Sequence, residues 1–149
     1  MENLIIYIST HHGNTEKVAK TMAEVLNAEL VKVYDVDITA LSKYDLIGFG
    51  SGIYFGKHHK DLLSLVDKLP VLKNKKAFIF YTSGGDKSDP DKELREKLLA
   101  RGFDIIGAFS CLGWDTWGPL RLFGGLYKGR PNKEDLEKAR SFATNLLKG

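Results

Sequence analysis

The chain has 149 residues, 43% of them hydrophobic, and a formal net charge of +3 from 22 basic and 19 acidic side chains. That size and apolar content predict a single domain over residues 1–149 with a sizeable core, neither disordered nor too small to fold alone. The one cysteine, Cys111, excludes an internal disulfide, a Cys-x-x-Cys redox pair and a cysteine-ligated iron–sulfur cluster, so electron transfer here would need an organic cofactor.

Leu4 to Ile8 is β-branched and aromatic with no interior polar residue, the pattern of a parallel strand buried on both faces. Strand character begins so early that no basic and apolar leader precedes it, and no apolar run approaches membrane-spanning length. A cytoplasmic location without stable membrane association is expected. After Thr15 the period becomes helical, with Val18, Ala19, Met22, Val25 and Leu26 on one stripe and Glu16, Lys17, Lys20 and Glu24 largely outside it. The turn between, Thr10-His11-His12-Gly13-Asn14-Thr15, therefore joins a strand to a helix N-terminus, where unpaired backbone N–H groups and the helix dipole favour a phosphate. Gly13 lets backbone approach the anion, and Thr10, Asn14 and Thr15 offer side-chain donors. The same turn is also compatible with Asn14 or Thr15 acting only as a helix cap.

Farther along, Glu29 to Val36 reads as a second strand, Asp45 to Gly50 as a third, and Asp61 to Leu69 as a helix stopped by Pro70. Lys76 to Thr82 is a fourth, buried strand. A helix from Asp89, with Pro90 in its first turn, runs to Gly102, and Phe103 to Ser110 is the fifth strand. Asn132 caps the last helix, whose Leu136, Ala139, Ala143 and Leu146 can pack on the sheet. Strands alternating with helices predict an open α/β parallel sheet with helices on both faces, and in such sheets ligands bind beyond the carboxyl ends of the strands.

The turn lacks Gly-Lys-Ser/Thr and Gly-x-Gly-x-x-Gly, which argues against nucleoside triphosphates and dinucleotides. It resembles the flavodoxin signature Ser/Thr-x-Thr-Gly-x-Thr at Thr10, Gly13, Asn14 and Thr15, departing at His12, where an imidazole replaces a hydroxyl. Two later loops extend the resemblance across the chain: Ser51-Gly52-Ile53-Tyr54-Phe55-Gly56-Lys57, and Thr82-Ser83-Gly84-Gly85-Asp86. It implies a flavodoxin-like five-stranded sheet of order 2-1-3-4-5 and FMN as cofactor, its phosphate in a cradle that includes His11 and His12. Tyr54 or Phe55 would stack on the flavin, and the third loop would meet its pyrimidine edge. Gly56, with Gly52 as second choice, would allow the peptide flip that serves the one-electron-reduced flavin. A one-electron shuttle between a reductase and an acceptor is the function implied; an FMN-dependent oxidoreductase on a quinone, porphyrinogen or similar conjugated substrate is the alternative.

Three departures bear on that choice. The charge is basic where flavodoxins are acidic, and Lys57 follows the flip glycine, where a cation would stabilise reduced flavin. Lys87-Ser88-Asp89-Pro90 stands where a stacking tyrosine often occurs. The long stretch from Cys111 to Pro131 holds Trp114, Trp117, Phe123 and Tyr127 with Arg121, Lys128 and Arg130, suited to covering the flavin or docking an acidic partner. The pairs His11-His12 and His58-His59 have no completing carboxylate or cysteine spacing, so a phosphate-side or surface role is expected rather than a metal site. No nucleophile elbow and no nucleic-acid motif is present, and no catalytic residue is assigned.

Overall fold

The computed structural model describes residues 1–10, 13–84, 89–113 and 128–148. Its strands are β1 (Asn3–Tyr7), β2 (Glu29–Lys32), β3 (Leu46–Tyr54), β4 (Lys57–His58), β5 (Lys76–Ser83) and β6 (Asp104–Leu112). Its helices are α1 (Asn14–Leu26), α2 (Lys60–Asp67), α3 (Lys92–Ala100) and α4 (Lys133–Lys148). The long strands lie in the order β2-β1-β3-β5-β6, all parallel, while β4 folds back antiparallel on β3. Counting the long strands alone, this is the expected 2-1-3-4-5. Among the described residues no helix is long and apolar enough to cross a membrane.

Alternation along β1 builds two cores. Leu4, Ile6 and Ile8 join Phe49, Ile79 and the buried faces of α2 and α3, whereas Ile5 and Tyr7 join Phe78, Phe80 and the apolar stripes of α1 and α4. In β3, Gly48 and Gly50 pair with Phe78 and Phe80, whose rings lie across them: a Cβ on either glycine would come within 2.2 Å of the partner ring. The glycines thus make room for two fully buried aromatic side chains, each contributing about 1.5–3 kcal/mol by burial.

Three boundaries differ from the sequence reading. β2 ends at Lys32, opposite Tyr7 at the end of β1, and Val33–Asp35 turns into a 3₁₀ helix because the edge strand has no further partner. β3 continues to Tyr54 because Ser51 and Gly52 pair with Tyr81 and Thr82, after which the chain turns into β4. α3 begins at Lys92, with Asp89 to Asp91 forming a preceding turn whose carboxylates both pair with Arg95 at 3.0 Å. At α4 the Asn132 cap forms as expected: its Oδ1 accepts the Asp135 N–H at 2.9 Å, and the Asp135 carboxylate accepts the Asn132 N–H at 2.8 Å.

Candidate functional site

Because β3 lies between β1 and β5, the loops leaving these three strands are neighbours at one end of the sheet. The chain runs from β1 to β2 on one side and reaches β3 on the other, so the β1–β3 boundary is a topological switch point.

The first loop enters α1 through Gly13, which is left-handed at φ +67; among the described residues a Cβ there would meet the Glu16 carboxylate alone, at 3.9 Å. Ser9, outside the expected cradle, accepts the Glu16 N–H on its Oγ at 3.1 Å and so ties the strand end to the first helical turn. The Glu16 carboxylate is drawn to Lys20, 3.4 Å away, and to the Tyr7 hydroxyl at 3.5 Å. Burial, reinforced by Glu16, pushes the Tyr7 phenol above its ordinary range.

Thr15 and Thr82, both buried, bond hydroxyl to hydroxyl at 2.9 Å and lock the first loop to the end of β5. Gly113, just after β6, completes the junction. Its N–H donates to the Ser83 carbonyl at 2.9 Å, and a Cβ on it would lie 2.6 Å from the Asn14 amide nitrogen. The Asn14 side chain therefore packs over the backbone leaving β6. The first and third loops form one tied unit. His11, His12 and Gly85 lie outside the described residues, as do Asp86, Lys87, Ser88, Trp114, Trp117, Arg121, Phe123 and Tyr127.

The second loop is a hairpin. Tyr54 pairs with Lys57, and the two residues between them, Phe55 at φ +54 and Gly56 at φ +80, have the double positive φ of a type I′ turn. Phe55 is 94% exposed. Tyr54 leans back over Gly52, where a Cβ would meet its hydroxyl at 3.2 Å; its ring meets His59 edge-on with centroids 5.1 Å apart, and its hydroxyl bonds to Thr10. Ser51, fully buried, donates to the Gly52 carbonyl at 2.6 Å and accepts the His59 N–H at 3.0 Å. Ile53 pairs with His58. Thr10, Gly13, Ser51, Gly52, Tyr54, Thr82, Ser83 and Gly84 are thus brought to one end of the sheet.

Several side chains take roles the sequence did not disclose. His58 is buried and His59 half-buried, so neither is a surface residue. His59 caps α2, its Nδ1 accepting the Asp61 N–H at 3.0 Å, while Asp61 also takes the Tyr34 hydroxyl at 2.6 Å. Lys57 faces Glu93 of α3 at 3.7 Å rather than standing alone beside Gly56. Arg130, expected as a docking cation, is held by Asp135 through contacts of 2.5 and 2.6 Å, which keep that carboxyl below the usual range. Cys111 sits in β6 with its thiol pushed up to about 12, chiefly by burial. No cluster able to hold a metal occurs among the described residues.

This end of the sheet therefore joins a helix N-terminus with hydroxyl-bearing side chains, two glycine-bearing strand ends and a pair of aromatic rings, an arrangement suited to a phosphorylated planar molecule. Residues 4–117 match the family described as the flavodoxin domain. An uncharacterized protein of Methanocaldococcus jannaschii is 53% identical, over 99% of each chain. Flavodoxin 1 of Azotobacter vinelandii is 28% identical, over 88% of this chain and 84% of its own. Among solved structures, oxidised Flavodoxin 2 of Bacillus cereus superposes with a TM-score of 0.74 at 20% identity over 99% of both chains.

Proposed function

The chain belongs to the flavodoxin family, a family of FMN-binding electron-transfer proteins, and on that premise we propose that it is a cytoplasmic one-electron shuttle working between redox partner proteins. The observation that carries this reading is the meeting of the α1 N-terminus, opened at Gly13, with the loops of two adjacent strands at the switch point. When bound, FMN supplies a ring system that accepts and returns electrons.

The residues present fit that group. The first turn of α1 offers backbone donors and a positive dipole end to a phosphate, and Thr10 and Thr15 place hydroxyls beside it. Gly13 keeps the approach clear, and the Ser9 contact to Glu16 holds the turn in shape before any ligand arrives. Tyr54 and Phe55 supply apolar ring surface at the hairpin, and Gly52 lets the Tyr54 ring pack closely against the end of β3. At φ +80, Gly56 occupies backbone space open to glycine, which leaves its peptide free to turn without side-chain strain. Phe55, exposed at the lip, gives a partner protein an apolar contact next to the cofactor.

The test is stepwise anaerobic reduction of FMN-loaded, desalted protein followed by absorbance. Retained flavin that passes through a long-wavelength radical band supports the shuttle. Retained flavin that bleaches directly and is reduced by a nicotinamide favours the oxidoreductase acting on a conjugated substrate. Loss of all flavin on desalting refutes cofactor binding.

A further inference from the structure

His58 belongs to no part of the phosphate cradle, yet it is 1% exposed and lies two residues after the hairpin glycine. Its place follows from strand alternation. β4 points Lys57 outward and His58 inward, under the hairpin and toward β5. The Nε2 atom is 3.1 Å from the Phe80 carbonyl oxygen; a carbonyl can only accept, so Nε2 carries the proton and donates. The ring also meets Tyr81 edge-on, centroids 5.6 Å apart. The Pro90 carbonyl and the Asp91 carboxylate, in the turn before α3, also act on the ring, although Nδ1 makes no well-formed hydrogen bond among the described residues. A buried ring nitrogen without a well-formed partner is costly, so packing alone would favour a phenylalanine here. The well-formed bond of the imidazole, Nε2 to Phe80, joins the hairpin to the strand carrying the third loop.

We propose that His58 is a positioning residue for the flavin-facing hairpin: its Nε2–H to Phe80 bond fixes how far Phe55 and Gly56 stand from the third loop at Thr82 to Gly84. This rests on the cofactor site assigned above. Two other ties leave little else free. Tyr54 is bonded to Thr10 on the outgoing side, and Lys57 faces Glu93 on the returning side. With His58 beneath, the two turn residues Phe55 and Gly56 lie between tied neighbours on either side.

The experiment has a cofactor-free arm and a loaded arm. In cofactor-free protein, amide exchange at Tyr54 and Lys57 is compared with that of the β1 core amides in wild type, His58→Phe and His58→Gln. Phenylalanine keeps the ring and its edge contact but has no donor; glutamine can place its amide nitrogen near the level of Nε2. Hairpin exchange should rise at least about tenfold relative to β1 in His58→Phe and return toward wild type in His58→Gln. Loaded with FMN, His58→Phe should show a shifted midpoint potential that His58→Gln restores. If His58→Phe does not fold, His58→Asn, whose amide stops at the level of Nδ1, takes its place without overpacking. Hairpin exchange that stays unchanged, or that rises only in step with β1, overturns the proposal. Absence of FMN binding in wild type defeats the cofactor reading alone, because the exchange arm still decides the role of His58.

Discussion

Phe55 is the residue least suited to its place by local physics, and replacing it separates stability from function. It sits at φ +54, in the first central position of a two-residue hairpin where asparagine and glycine are preferred. A side chain with a Cβ costs about 1–2 kcal/mol in left-handed backbone, less for asparagine. The ring is 94% exposed, so removing it sacrifices almost no burial. Phe55→Asn should therefore stabilise the cofactor-free protein by about 1 kcal/mol, raising Tm by about 2–4 °C. Equilibrium urea unfolding is the assay, with a higher midpoint and unchanged slope as the signature. The same change strips aromatic surface from the lip of the site. Affinity for FMN should fall about 3–10-fold, corresponding to roughly 0.5–1.5 kcal/mol of ring contact. A variant that unfolds more easily than wild type would mean the ring is not idle in the fold, and one that gains both stability and affinity would remove Phe55 from the site.

The Thr15–Thr82 hydroxyl pair allows a cleaner test of the cradle than a single deletion. Thr15→Val alone strands the Thr82 hydroxyl at a cost of about 1–3 kcal/mol, whereas Thr15→Val with Thr82→Val removes both partners and should be nearly neutral for folding. The double variant should bind FMN at least about tenfold more weakly with riboflavin little changed; equal losses for both ligands would exclude phosphate recognition by Thr15. Burial holds the His58 and His59 imidazoles below their ordinary 6.5, opposed at the first by the Phe80 and Pro90 carbonyls and Asp91, and at the second by Asp61. The unfolded chain therefore binds more protons below that value, so stability is full above it and falls as pH drops through it. Urea midpoints at pH 7.5 and 5.5 should differ, and the difference should shrink in His58→Gln. The Cys111 thiol, pushed up to about 12, should resist iodoacetamide at pH 8 in the folded protein and react once urea unfolds it. Lys57→Glu should make the last electron harder to add by replacing a cation with an anion beside Glu93; identical potentials for wild type and variant would dismiss Lys57 as a tuning charge.

The parts legible in the sequence were those fixed by patterns spanning several residues. β1 and β5 are continuous apolar runs, so their burial on both faces follows from composition, and the helical stripe of α1 fixes which side it covers. The order of the glycine-bearing loops then places the candidate site. Features that depend on a pairing partner were not legible. Val33 and Tyr34 look like strand, but nothing lies opposite them once β1 has ended at Tyr7. The β3–β4 hairpin was hidden because Phe-Gly is not a turn dipeptide that sequence reasoning looks for. The His58-His59 pair reads as phosphate-side or surface residues, and only the two-residue period of a strand too short to recognise turns His58 inward. Ser9 preceded the recognised signature and was passed over, although its hydroxyl is what holds the first helical turn.

These contacts divide the work within the site. The Thr15–Thr82 bond and the Gly113 junction join the described ends of the first and third loops through buried groups and backbone, so on the proposed reading these parts of the phosphate end are held before a ligand binds and add little ordering cost. The hairpin, beyond its own short backbone ladder, is tied to the rest of the site through side chains, and its tip carries left-handed strain at Phe55. Strain of that kind persists where surrounding structure over-determines it, and the ties through Tyr54, Lys57 and His58 do so from both strands. Affinity should accordingly reside mostly in the cradle, and the tuning of electron affinity mostly in the hairpin. Cradle substitutions should then change FMN dissociation with small effects on potential, while substitutions at Gly56, Lys57 or His58 should do the reverse. A cradle variant that moved the potential as strongly as a hairpin variant would mean that the two ends of the site are not mechanically separate.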